Sequence, residues 1–170
     1  VGAHPSALIG ETPLGKPENL VPAITQTAIG KLPMMQVLGN DYPTRDGSCL
    51  RDYIHVCDIA HAHTLAFNYL IEKKNESNCD VFNLGTGKGY TVLELIAEFE
   101  KASTVKLNYK IGPRRPGDVV AIYANNDKAR NLLGWNPKYN LQEMMATAWK
   151  WELKLKDDEN IFKARNADLN

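Results

Sequence analysis

Apolar positions along the chain recur at two periods, and the period changes several times. ENLVPAITQTAIG (18–30) repeats near every 3.6 residues and stops at Gly30, which predicts a helix with Pro22 at or just past its first turn. Residues 2–17, rich in Gly and Pro, predict a long loop ahead of it. MQVL (35–38) predicts a short strand, and GNDYPTRDGS (39–48) carries a turn former at nearly every position. RDYIHV (51–56) alternates like a strand. Asp58 then serves as the expected N-cap of a helix through HAHTLAFNYLIEKK.

VFNLG (81–85) has the unbroken apolar character of a strand buried on both faces. Thr91 and Glu94 form a capping box for a helix through EFEKAS. KLNYK (106–110) and VVAIYA (119–124) predict further strands on either side of the loop GPRRPGD (112–118). Asn126 is the expected cap of a short helix ending at Gly134. Asn140 with Glu143 caps a last helix that carries Trp149 and Trp151, and the charged stretch beyond Lys156 is expected to be loosely held.

Strands and helices alternate, so the fold class is α/β. The segment 81–84 is an orphan in this pattern. A doubly buried strand needs parallel neighbours, and the chain offers too few. The chain also opens at Val1, directly in loop chemistry, from which an upstream part is expected.

Composition changes the picture little. The chain has 170 residues, with 44% hydrophobic and 24% charged, and 20 basic against 20 acidic side chains. A neutral chain has no global field to gather nucleic acid or acidic lipid. No apolar run reaches the ~18 residues of a membrane span. Cys49, Cys57 and Cys79 are odd in number and lack C-x-x-C spacing, which favours small buried thiols in a reduced, cytoplasmic setting.

Several motifs have bland readings. GTGKG (85–89) follows a strand and precedes a helix, as phosphate-cradling turns do, but it lacks the G-x-G-x-x-G and Walker frames and reads as a tight turn. Tyr69 and Lys73 have Y-x-x-x-K spacing without the upstream hydroxyl or cofactor fingerprint such chemistry needs, so they read as a coincidence on a solvated helix end. His61 and His63 point roughly 200° apart on a helix and do not share a metal. His4 and His55 are isolated.

The adjacent arginines of GPRRPGD ask for an anion. Arg114 reads as a solvated loop charge. Arg115 with Arg51 makes a two-armed clamp, since guanidinium forks match phosphate oxygens and each charge-assisted bond is worth about 1.5–3 kcal/mol. Asp118 would then orient an arginine or accept ribose hydroxyls. Spacing alone leaves the clamp and ordinary loop charges standing side by side.

GAHPSALIGE, ENLVPAITQTAIGKLP, LGNDYPTRDGSCLRDYIHVCDIAHAH, VFNLGTGKGYTVLELI and GPRRPGDVVAIYAN, in that order, closely resemble the UDP-glucose 4-epimerase family of the extended short-chain dehydrogenase superfamily. The likeness runs from Val1 to about Trp151. It implies the C-terminal, substrate-binding part of a Rossmann-type epimerase, residues 1–156, followed by a charged tail at 157–170. Strand 81–84 would belong to a large parallel sheet whose other members lie in an absent N-terminal half.

The resemblance implies that the anion is the diphosphate of UDP-glucose or UDP-galactose. Arg51 and Arg115 match its arginines, Asp118 the ribose-holding residue, and Asn19 and Leu20 the pair that meets the diphosphate at a helix start. Gln36, Val37 and Leu38 match the short strand lining the uracil, with Leu38 standing where phenylalanine is frequent. Ile122 matches a gate residue beside the sugar. Its intermediate size implies tolerance of UDP-N-acetylhexosamines. The activity implied is interconversion of UDP-glucose and UDP-galactose in galactose metabolism, through a 4-keto sugar and NAD bound by the absent half, in a cytoplasmic homodimer. No catalytic residue of that scheme lies in this chain, which is expected to be poorly stable and inactive alone. A free-standing UDP-sugar-binding or structural remnant stays open as an alternative, as does a weaker nucleotide-binding module built on GTGKG.

Overall fold

The computed structural model describes the backbone of residues 1–167 and the side chains of residues 1–160. Its elements in chain order are α1 (Leu20–Ala28), β1 (Met35–Leu38), β2 (Leu50–Arg51), α2 (Val56–Ile71), β3 (Tyr90–Thr91), α3 (Val92–Ser103), β4 (Tyr109–Gly112), β5 (Ala121–Ile122), a π-helical turn (Ala129–Leu133) and α4 (Leu141–Ala167). Among the described residues, no helix is long and apolar enough to cross a membrane.

Local chemistry accounts for most helix ends. Thr91 Oγ1 accepts from Glu94 N, and the Glu94 carboxylate accepts from Thr91 N at 2.9 Å, completing the capping box of α3. Asn140 and Glu143 exchange the same pair of bonds, at 2.8 and 2.9 Å, to start α4. Each box satisfies backbone donors that a helix start otherwise leaves unpaired. Gly134 ends the π-helical turn in the left-handed region. Beyond Lys156, α4 continues as helix to Ala167, and Lys31 Nζ lies 2.8 Å from Glu159 Oε1.

α1, α3 and α4 pack on one face of β1. Ile24, Val37, Leu95, Phe99, Met144 and Met145 form the centre of this core, and Trp149 meets the Phe99 ring edge-on at 5.6 Å. A smaller cluster sets Ala62 and Tyr69 of α2 against Ala129, Leu133 and Trp135. β1 pairs in parallel with β4, and β2 lies between antiparallel β3 and parallel β5.

The structure is α/β, but several elements differ from the sequence pattern. Residues 81–84 form no strand, and Val81 is 69% exposed. None of the described strands pairs with them, and a strand has no stability without a ladder to complete. RDYIHV pairs only at its first residue. Asp52 then takes Ala124 N (3.0 Å) and Thr86 N (2.9 Å) onto its carboxylate, and the chain turns into α2 at Val56. KLNYK enters its strand late, at Tyr109. Leu107 N is held instead by Glu100 Oε1 at 2.9 Å.

Asp58 does not cap α2. His55 does, its Nδ1 accepting from Cys57 N at 3.1 Å. Asn126 precedes the π-helical turn, but its side chain donates to Gly85 O. Tyr69 is buried, edge-on to Phe82, so only Lys73 of the Y-x-x-x-K pair lies at a solvated end. Of the thiols, Cys49 is buried, Cys57 half-buried and Cys79 exposed. Among the described residues, no cluster of three metal-ligating side chains occurs.

His55 is fully buried, stacked on Tyr139 with ring centroids 3.9 Å apart. Because Nδ1 accepts, the ring proton sits on Nε2 and donates to Thr147 Oγ1 at 3.1 Å. Burial lowers its pKa below 6.5, against the opposing pull of Asp58 and Glu143. The unfolded chain therefore binds more protons just below that value, and stability falls as pH falls through 6.5. Urea unfolding at pH 7.5 and 5.5 is expected to show this loss, up to about 1.4 kcal/mol per pH unit from one group. His55→Gln flattens the slope. An unchanged slope in that variant would assign the effect to other groups.

Candidate functional site

The two strand pairings hold the arginine loop at both ends. β4 lies against β1, so Leu38 stands opposite Gly112, the residue that opens GPRRPGD. β5 lies against β2, so Ile122 stands opposite Arg51. Gly39 N donates to Gly112 O at 3.0 Å, and Leu50 N to Val120 O at 3.0 Å, extending both pairings towards the loop. Loop residues 113–120 are thus delivered between the ends of β1 and β2, although more than sixty residues of sequence separate them from either strand.

Asp118 is the centre of the site. Its Oδ1 accepts from Arg115 Nη2 at 2.8 Å and from Arg51 Nη2 at 3.3 Å. The Asp118 side chain is 11% exposed, whereas that of Arg115 is 61% exposed. Arg51 also donates through Nη1 to Leu50 O and Val119 O, each at 2.8 Å. One guanidinium is therefore locked into the backbone of two segments, while the other reaches in from an open rim. The pair faces one carboxylate oxygen, an arrangement that leaves each planar fork with further N–H donors for an anion. Hydrogen bonding to Asp118 raises the Arg115 pKa further, so its charge is permanent.

Of the residues singled out in the sequence, Arg51, Arg115, Asp118 and Ile122 come together. Gln36 and Leu38 approach from β1. The Gln36 side chain lies over Gly112, so closely that a Cβ there would sit 1.7 Å from Gln36 Nε2. Val37 points the other way, into the core, with only its backbone on the site side of the strand. Asn19 and Leu20 find their partners elsewhere. Asn19 Nδ2 donates to Glu11 Oε1 at 2.9 Å, and Leu20 packs on the core. Asn19 makes no side-chain cap, so the first-turn N–H groups of α1 lack that partner.

Arg114 is exposed, as its loop position predicts, but it is also paired. Nε donates to Asp41 Oδ1 at 2.7 Å, Nη2 donates to Asp41 O at 2.6 Å, and the guanidinium carbon stands 4.1 Å from the centre of the Tyr42 ring. The Arg114 guanidinium holds the Asp41 carboxyl below the usual carboxylate range. Gly39 makes room for this contact. Its φ is +89°, and a Cβ would lie 2.9 Å from Arg114 Cγ and 2.6 Å from Tyr42 Cε2.

Sequence reasoning also missed Asp52. Its carboxylate accepts from Thr86 N, from Thr86 Oγ1 at 2.7 Å and from Ala124 N. The donors that GTGKG would offer a phosphate at Thr86 are thus already occupied by an internal carboxylate. The resemblance places its dinucleotide outside this chain, and Thr86 has no free N–H to offer one here. No local pattern marks Asp52 or Arg114, because their partners lie 34 and 73 positions away.

The family model described as GDP-mannose 4,6 dehydratase matches residues 3–148. A bifunctional UDP-glucose 4-epimerase and UDP-xylose 4-epimerase of Pisum sativum is 52% identical over 151 residues, 89% of this chain and 43% of that protein. The crystal structure of a UDP-glucose 4-epimerase from Stenotrophomonas maltophila, with bound NAD and formylated UDP-arabinopyranose, superposes with a TM-score of 0.89 at 47% identity, covering 93% of this chain and 46% of that one. A UDP-glucose 4-epimerase from Bifidobacterium longum in complex with NAD+ and UDP gives a TM-score of 0.85 at 45% identity, covering 91% and 45%. The present chain spans under half the length of each of these proteins. It belongs to the GDP-mannose 4,6 dehydratase family and is similar, over 89–93% of its length, to UDP-glucose 4-epimerases.

Proposed function

We propose that the intact protein is a UDP-glucose 4-epimerase, interconverting UDP-glucose and UDP-galactose, and that residues 1–156 hold the UDP-sugar. The convergence of Arg51 and Arg115 on Asp118 carries this reading. A diphosphate arriving at the rim replaces a shared carboxylate oxygen by several, which both forks can take in bidentate fashion. Asp118, relieved of part of its arginine contacts, then has lone pairs for ribose hydroxyls. Gln36 and Leu38, brought beside Gly112, make one wall for the uracil. Asn19 and Leu20 contribute the N–H groups of the α1 start.

NAD supplies the redox chemistry of the reaction when bound. Its site in this reading lies in residues outside this chain, since GTGKG is already closed on Asp52. The chain by itself therefore binds UDP-sugar without turning it over. Ile122, 56% exposed opposite Arg51, leaves room beside the sugar for an acetamido group.

Isothermal titration of the 170-residue chain tests the reading. Saturable UDP binding is expected, with UDP-glucose and UDP-N-acetylglucosamine within about threefold of each other. Arg115→Ala is expected to weaken UDP about tenfold, the lower end of what one charge-assisted contact is worth. An absence of UDP binding would sink the reading. Epimerisation by the chain with added NAD would sink the claim that it is catalytically silent.

A further inference from the structure

Adjacent residues Arg114 and Arg115 face opposite partners. We infer that Arg114 is a positioning residue for the UDP site: clamped on Asp41 and Tyr42, it holds the 113–118 loop so that Arg115 converges with Arg51. The inference rests on the UDP reading above and adds a residue to it.

Arg114 has already committed its binding surfaces. Two of its nitrogens are on Asp41 and its flat face is on Tyr42. The anchor is rigid. Tyr42 is buried, and Tyr42 N donates to Gly47 O at 2.9 Å. Thr44 Oγ1 donates to Ser48 O at 2.7 Å, and Ser48 N and Oγ both donate to Asp46. Thr91 Oγ1, at the start of α3, also bonds to Asp46. Arg115, by contrast, is exposed, and its side-chain hydrogen bond goes to Asp118, within the same loop. The hydrogen-bonded 39–48 segment therefore reaches the exposed arm through Arg114. Lysine cannot replace it, because a point charge neither bridges two acceptors at fixed angles nor stacks a plane on a ring.

The test measures UDP affinity of the full 170-residue chain by titration, with thermal melting alongside. Arg114→Ala is expected to weaken UDP about fivefold. Arg114→Lys is expected to lose as much, and neither shifts the melting temperature by more than about 3 °C, as befits an exposed side chain. The double variant Arg114→Ala/Arg115→Ala is expected to bind no worse than Arg115→Ala within about twofold, since both changes remove one function. Asp41→Ala separates positioning from charge. Removing a negative group beside an anion site tightens binding on Coulombic grounds, whereas loss of the clamp weakens it. Weaker UDP binding by Asp41→Ala supports the inference. Tighter or unchanged binding, or multiplicative losses in the double variant, would overturn it and leave the UDP site standing. Wild-type chain that binds no UDP would overturn both, and that titration is read first.

Discussion

Arg51→Ala is expected to lower UDP affinity about a hundredfold, the largest loss from any single change at the site. Three of its hydrogen bonds are at stake. Nη1 ties Leu50 O to Val119 O, and Nη2 reaches Asp118, from a side chain only 25% exposed. The variant removes one cationic fork and also the bridge between β2 and the segment leading into β5. A direct charge-assisted contact of about 1.5–3 kcal/mol accounts for roughly tenfold to a hundredfold by itself. Displacement of Asp118 and Ile122 adds to it. Arg51→Lys keeps the charge but cannot bond both carbonyls and the carboxylate at once, so it recovers less than about tenfold. Titration at two salt concentrations checks this. Wild-type affinity is expected to fall with salt more steeply than that of Arg51→Ala, because one fewer charge meets the anion. An Arg51→Ala affinity within about threefold of wild type would move the anion site elsewhere.

The largest effect on stability is expected at Asp58, where alanine costs about 3 kcal/mol. The residue is 1% exposed. Its carboxylate accepts from Lys138 N and Tyr139 N at 3.1 Å, and its backbone oxygen accepts from Trp135 Nε1 at 2.9 Å. Those partners lie 77 to 81 positions away, and together they pin the 135–139 segment onto the start of α2. Alanine strands the two backbone donors of Lys138 and Tyr139, while the Trp135 bond to the backbone oxygen stays. Asp58→Asn keeps one acceptor oxygen and is expected to lose about half as much. Urea unfolding with an unchanged m-value is the measurement. A loss below about 1 kcal/mol in the alanine variant would mean that water satisfies those donors as well as the carboxylate does.

Asp58 also shows how sequence reading goes astray. An aspartate just before an apolar helical run is a fair N-cap by local rules, but α2 begins two residues earlier, at Val56. The cap is His55, three residues earlier, and the carboxylate serves a segment that no local window contains. The same division runs through the site. Arg51, Arg115 and Asp118 were legible because two arginines in a proline-bracketed loop are unusual, and the likeness to epimerases tied them to one ligand. Arg114 looked idle because its partners, Asp41 and Tyr42, belong to another loop. GTGKG reads as a tight turn and is one, but its bond to Asp52 lies outside any local window.

Features decided within a turn or two of chain are therefore those the sequence determines by itself: the apolar stripe of α1, the reciprocal caps at Thr91–Glu94 and Asn140–Glu143, the glycine stop at Gly134, and the α/β alternation. Their energies come from neighbours three or four residues away, which a single window contains. Tertiary structure alone decided whether apolar runs became strands. MQVL found β4 and formed a ladder. VFNLG found no partner among the described residues and formed none, because a strand's hydrogen bonds lie entirely outside itself. It also decided which charges meet. Asp118 between two arginines, Arg114 on Tyr42 and Asp52 in the GTGKG turn each pay off only after distant segments pack, and nothing in the residues beside them announces it.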